Sequence, residues 1–79
     1  MENKEKFISL LCKALQESRQ FNGELMEMRY VQTMEGGEYI CPVMAKGDRY
    51  TECKSINITG DSCMGILSDV MNQFVRCYT

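Results

Sequence analysis

The run from Ile56 to Tyr78 constrains the fold of this chain more than any other. Ile56-Asn57-Ile58 reads as the end of a β-strand, Thr59-Gly60-Asp61 as a tight turn, and the following residues, from about 61 to 77, as an amphipathic helix. Cys63, Ile66, Leu67, Val70, Phe74 and Cys77 recur at helical spacing and form a core stripe; Gly65, Ser68, Asp69, Asn72, Gln73 and Arg76 form the wet face. Asp61 or Ser62 is the expected N-cap. Met71, Val75 and Tyr78 widen the stripe beyond what a thin sheet covers, which leaves apolar surface for a partner or a second copy of the chain.

The preceding residues supply what this helix packs against. A first helix is expected over 3–20, with Phe7, Ile8, Leu11, Ala14, Leu15 and Ser18 inward and Leu10 and Cys12 on the flanks. Asn3 suits its cap, Glu2 and Glu5 suit the positive end of its dipole, and Asn22-Gly23 is a stop signal. Residues 25–34 alternate, with Met26, Met28, Tyr30 and Met34 on one face and Glu27, Arg29 and Thr33 on the other. Glu35-Gly36-Gly37-Glu38 marks a hairpin, 39–46 a second strand, Lys46-Gly47-Asp48-Arg49 a second turn and 50–58 a third strand. Two details strain this meander. Pro42 falls in its central strand, where proline signals an edge or a bulge. Ile56 and Ile58 share parity with Glu52 and Lys54, which a bulge near Lys54 or Ser55 repairs. The expectation is one α+β domain over 1–79: helix, three-stranded antiparallel sheet, helix, both helices on one sheet face.

At 79 residues, a chain buries roughly 60–65% of its unfolded surface, so its core is thin and a deep cleft is not expected. Net charge is −2, with both signs interspersed; that argues against phosphate-driven nucleic-acid binding and favours basic partners. No run is long and apolar enough to span a membrane, and Met1-Glu2-Asn3-Lys4-Glu5-Lys6 is too polar for a signal peptide. With an odd count of five cysteines, the expectation is a reducing cytoplasm with free thiols. The sequon Asn57-Ile58-Thr59 carries no meaning there.

Catalysis finds little support. The chain has no histidine, which removes the usual general base, the Ser-His and Cys-His pairs and the commonest metal ligand. Gly60-Asp61-Ser62 resembles the nucleophile motif of chymotrypsin-like proteases over three residues, and helix capping accounts for it. Cys63 stands near a helix N-terminus, where a thiol pKa falls, but it also lies on the core stripe. Cys41-Pro42-Val43-Met44 lacks the second cysteine of a redox pair. No two cysteines have zinc-knuckle spacing, and the acidic residues show no calcium-loop spacing. Gly36-Gly37 precedes a strand rather than a helix, so it is no phosphate cradle. No cofactor or metal is expected. Of the seven methionines, most suit the core; Met64 and Met71 flank the stripe and suit contact.

Two resemblances bear on function. The order helix, three strands, helix is similar to that of the double-stranded-RNA-binding domain. The places where that module is basic or polar hold Asp61-Ser62-Cys63-Met64 and Glu35-Gly36-Gly37-Glu38 here. Residues 51–70, with a strand ending in Asn-Ile-Thr, a Gly-Asp-Ser turn and a final helix, resemble the ending of small proteins encoded by phages and prophages of gut Firmicutes. The plan as a whole is similar to several anti-CRISPR proteins. That resemblance implies a non-enzymatic inhibitor acting in the host cytoplasm on a host defence protein or complex. The expected contact surface is the outer sheet face with Glu27, Arg29 and Glu38, or the loops around Glu35 and Asp48. Met64, Met71 and Tyr78 are the expected contacts on the last helix, including those of a homodimer.

Overall fold

The structure is a computed structural model that describes residues 3–78. Helix α1 (Asn3–Gln16) leads through a 3-10 turn (Arg19–Phe21) into strands β1 (Leu25–Gln32), β2 (Glu38–Lys46), β3 (Arg49–Glu52) and β4 (Ile56–Asn57). The chain closes with α2 (Cys63–Val70), a π-helical segment (Met71–Val75) and a final turn, α3 (Arg76–Tyr78). The expected caps fall outside the described residues: Glu2, and the side chain of Asn3.

β2 is central. β1 pairs with one side of it, and β3 and β4 pair in succession with the other, all antiparallel. β3 and β4 are the expected third strand, broken by a bulge. Val43 faces Glu52 and Ile40 faces Ile56, so Cys53, Lys54 and Ser55 oppose only Cys41 and Pro42. The extra residue switches parity and turns Ile56 into the core. It also accommodates Pro42. The Pro42 carbonyl accepts from Cys53 N–H at 2.8 Å, so the backbone edge that lacks a donor faces the interruption and not a regular ladder.

Both hairpin turns follow from glycine. Gly36 (φ 93°) closes a three-residue loop in which Thr33 N–H donates to Gly37 O at 2.9 Å. Gly47 (φ 60°) is the first residue of the two-residue loop between paired Lys46 and Arg49. A positive φ at that position suits a type II′ turn, and it pairs Ala45 with Tyr50 and Val43 with Glu52.

The core lies on the sheet face carrying Met28, Ile40, Met44 and Ile56. Both helices cover that face, α1 with Ile8, Cys12 and Leu15, and the C-terminal run with Ile66, Val70, Phe74 and Val75. α1 stops at Gln16, four residues short of the expected end, because Ser18 caps the 3-10 turn by accepting from Gln20 N–H at 3.2 Å. That turn buries Phe21 completely and stacks it on Phe74, with centroids 5.1 Å apart. On α1, Cys12 rather than Ala14 belongs to the core. Burial pushes its thiol pKa up, while the Met28 N–H acts against this. A second bulge, at Met26, puts Leu25 in the core and leaves Met26 exposed. Gln16 Nε2 satisfies the bulge carbonyls of Leu25 (3.2 Å) and Met26 (2.8 Å). β1 ends at Gln32, so Met34 lies exposed in the turn and not on the strand face.

In the C-terminal run, Ser62 is the N-cap and accepts from Gly65 N–H at 3.2 Å. The π segment, in which Arg76 N–H reaches back to Met71 O, adds one residue to the turn. Val75 therefore joins Phe74 in the core, where it was expected on the widened flank. Its carbonyl accepts from Gln20 Nε2 at 2.5 Å. Cys77, expected on the stripe, is exposed, and Cys63 is half-buried.

Candidate functional site

The sheet face opposite the helices is the candidate contact surface. Strand alternation and register place Glu27, Arg29 and Val31 of β1, Tyr39, Cys41, Val43 and Ala45 of β2, and Tyr50 and Glu52 of β3 on it. At its centre Arg29 lies between two carboxylates. Its Nε donates to Glu27 at 2.5 Å and its Nη1 to Glu52 at 3.2 Å, across all three strands. The hydrogen bond and charge of Glu27, helped by Glu52, push the guanidinium pKa up. Beneath this triad Val43 is only 5% exposed, although no helix covers it. Met26 and Tyr50, the latter 71% exposed, complete the rim of a shallow depression over it. An apolar floor ringed by charges of both signs and two large adaptable side chains matches the anatomy of a protein contact patch.

Of the residues singled out from sequence, Glu27 and Arg29 come together here. Glu35 and Asp48 are exposed in the two hairpin turns, at opposite ends of β2, roughly 30 Å apart at a strand rise of about 3.3 Å per residue. Glu38 is not on the outer face. It shares parity with Ile40 and turns to the helix side. Its carboxylate accepts from Lys4 Nζ (2.8 Å), Tyr30 hydroxyl (2.5 Å) and Gly60 N–H (2.9 Å). These bonds hold its pKa down at about 2, and the same contact lifts that of Tyr30 to about 12. Glu38 is an internal tie between α1, β1, β2 and the turn before α2. Met64 (73% exposed) and Met71 (38%) stand apart on the C-terminal run. The side chain of Tyr78 lies outside the described ones.

Tyr50, Glu52, Val43 and Met26 were not singled out from sequence. The signal for the first three was present: a two-residue Gly47-Asp48 loop fixes Tyr50 and Glu52 opposite Ala45 and Val43. Met26 depended on a bulge that nothing in its neighbours announces. None of the five cysteines is in a disulfide, and burial pushes the Cys53 thiol pKa up, helped by Cys41. Among the described residues no helix is long and apolar enough to cross a membrane. No protein-family model, no curated protein and no solved structure matches the chain.

Proposed function

We propose that this chain is a non-enzymatic binding protein that docks its helix-free sheet face on another protein. The observation that supports this most is the Glu27–Arg29–Glu52 triad over buried Val43, rimmed by exposed Met26 and Tyr50. Two carboxylates to one guanidinium, on a chain of net charge −2, suit a partner with a basic, partly apolar surface. The resemblance of residues 51–70 to phage-encoded proteins, and of the plan to anti-CRISPR proteins, makes a host defence protein the proposed partner class. The lack of any histidine supports the non-enzymatic reading.

The test is affinity isolation from a bacterial lysate with three immobilised proteins: wild type, Glu27→Lys/Glu52→Lys and Met64→Glu. A partner retained by wild type and Met64→Glu but lost by the double variant is the expected result. A partner lost by Met64→Glu alone points to the helix instead. Plaque assays on cells expressing the chain test the defence reading, with increased phage plating expected only where the targeted defence system is present.

Exposed Met64 and Met71 favour a second reading, self-association through the C-terminal run. Light scattering separates the two, since a strict monomer at high concentration leaves only the first. The acidic Glu35 and Asp61 at the places where an RNA-binding module of this order is basic count against nucleic acid.

A further inference from the structure

Asp61 stands one residue before the Ser62 N-cap, yet its side chain does not cap the helix. Its N–H donates to Ile58 O at 2.9 Å, and its carboxyl folds back along α2 against Gly65. A Cβ on Gly65 would stand 3.1 Å from Asp61 Cγ and 3.2 Å from its Cβ. Asp61 precedes the helix, while Gly65 and Asp69 lie four residues apart on one face of α2. The Asp61 carboxyl lies against Gly65, which has no side chain to stand between it and Asp69. Asp61 Oδ2 is buried and has no donor partner. Asp69, half-buried, accepts from Gln73 Nε2 at 3.3 Å through Oδ1. Two ionised carboxylates offer only acceptors to each other; one proton between them supplies the missing donor.

We propose that Asp61 and Asp69 share a single proton, carried on Asp61, and that this proton latches the 59–62 turn onto the first turns of α2. The protonated Asp61 donates to Asp69, whose Oδ1 also accepts from Gln73 Nε2. The hydrogen bond to Asp69, then burial, then the Asp69 charge push the Asp61 pKa up; Glu38 adds to this, and Lys4 opposes it. Lys4, from α1, and Glu38, from β2, are charged groups facing Asp61, and they are engaged with each other at 2.8 Å. The folded chain thus holds the proton more tightly than the unfolded chain. The latch stabilises the fold below the raised Asp61 pKa and is lost as pH rises through it. Once both carboxyls are charged, they repel and the turn loosens at the helix N-terminus.

The test is a carbon-detected NMR titration of the side-chain carboxyls in the full chain, paired with amide hydrogen exchange of residues 61–66. In wild type Asp61 is expected to titrate above a free aspartate, and protection of these amides, corrected for intrinsic exchange, falls through the same midpoint. Asp69→Asn supplies a permanent donor, so the Asp61 midpoint is expected to shift down and the pH dependence of protection to disappear. Gly65→Ala, which crowds the path between the carboxyls, is expected to shift the Asp61 midpoint down as well. An Asp61 midpoint like that of free aspartate in wild type, or one that Asp69→Asn leaves in place, overturns the proposal.

Discussion

Glu38 shows how one side chain can fix the corner of a small domain. Its carboxylate is 13% exposed and bonds three donors, while its own N–H donates to Thr59 Oγ1 at 2.9 Å. The folded pKa of about 2 lies below the ordinary 4.5. A depressed carboxylate contributes stability that is present above the unfolded pKa and lost as pH falls through the folded one. Urea midpoints are therefore expected to drop between pH 4.5 and about 2, and Glu38→Gln is expected to flatten that drop. This slope has the opposite sign to that of the Asp61–Asp69 pair. Two further residues carry measurable energy. Phe21→Ala removes a fully buried ring stacked on Phe74 and is expected to cost about 3–5 kcal/mol in equilibrium unfolding. Ser62→Ala removes the α2 cap and is expected to cost about 1 kcal/mol by the same measurement.

At the scale of elements, the bulge between β3 and β4 decides which residues reach the core. It was legible in the amino-acid sequence, because Glu52 and Lys54 share parity with Ile56 and Ile58, and because Pro42 in the central strand signals an edge or a bulge. Deleting Lys54 leaves two residues opposite two, and a regular ladder still delivers Ile56 to the core. A cooperative urea transition is expected for that deletion; loss of cooperativity would contradict the parity account. Other features left no such trace. The π turn that moves Val75 inward depends on one extra residue in a helix of ordinary composition, and periodicity alone extends the stripe to Cys77. The end of α1 at Gln16 depends on Ser18, whose side chain competes for the backbone in a way that its apolar-face spacing conceals. Phe21 lies beyond that break, so the helical period placed it nowhere.

For the whole molecule, order and layering were legible because two amphipathic runs flank three turn-punctuated strands, and both stripes must lie on the same sheet. The candidate site was legible only in part. Alternation placed Glu27 and Arg29 outward, but Glu38 reads as an exposed charge until its three donors are seen. Glu52 and Tyr50 needed the register that Gly47 sets. The outer-face charges hold no core together, and exposed ion pairs contribute little to folding. Glu27→Lys/Glu52→Lys sets two lysines beside Arg29 and is thus expected to lower the unfolding midpoint only slightly, with the transition still cooperative, while binding is lost, a separation that thermal melts and affinity isolation measure together. The most direct measurement of the contact surface is amide NMR of the isotope-labelled chain titrated with the isolated partner. Shifts or line broadening are expected to concentrate at residues 27–31, 41–45 and 50–52, with Met64 and Met71 unmoved. Perturbations centred on Met64 and Met71, with the outer sheet face unmoved, would contradict docking through the sheet.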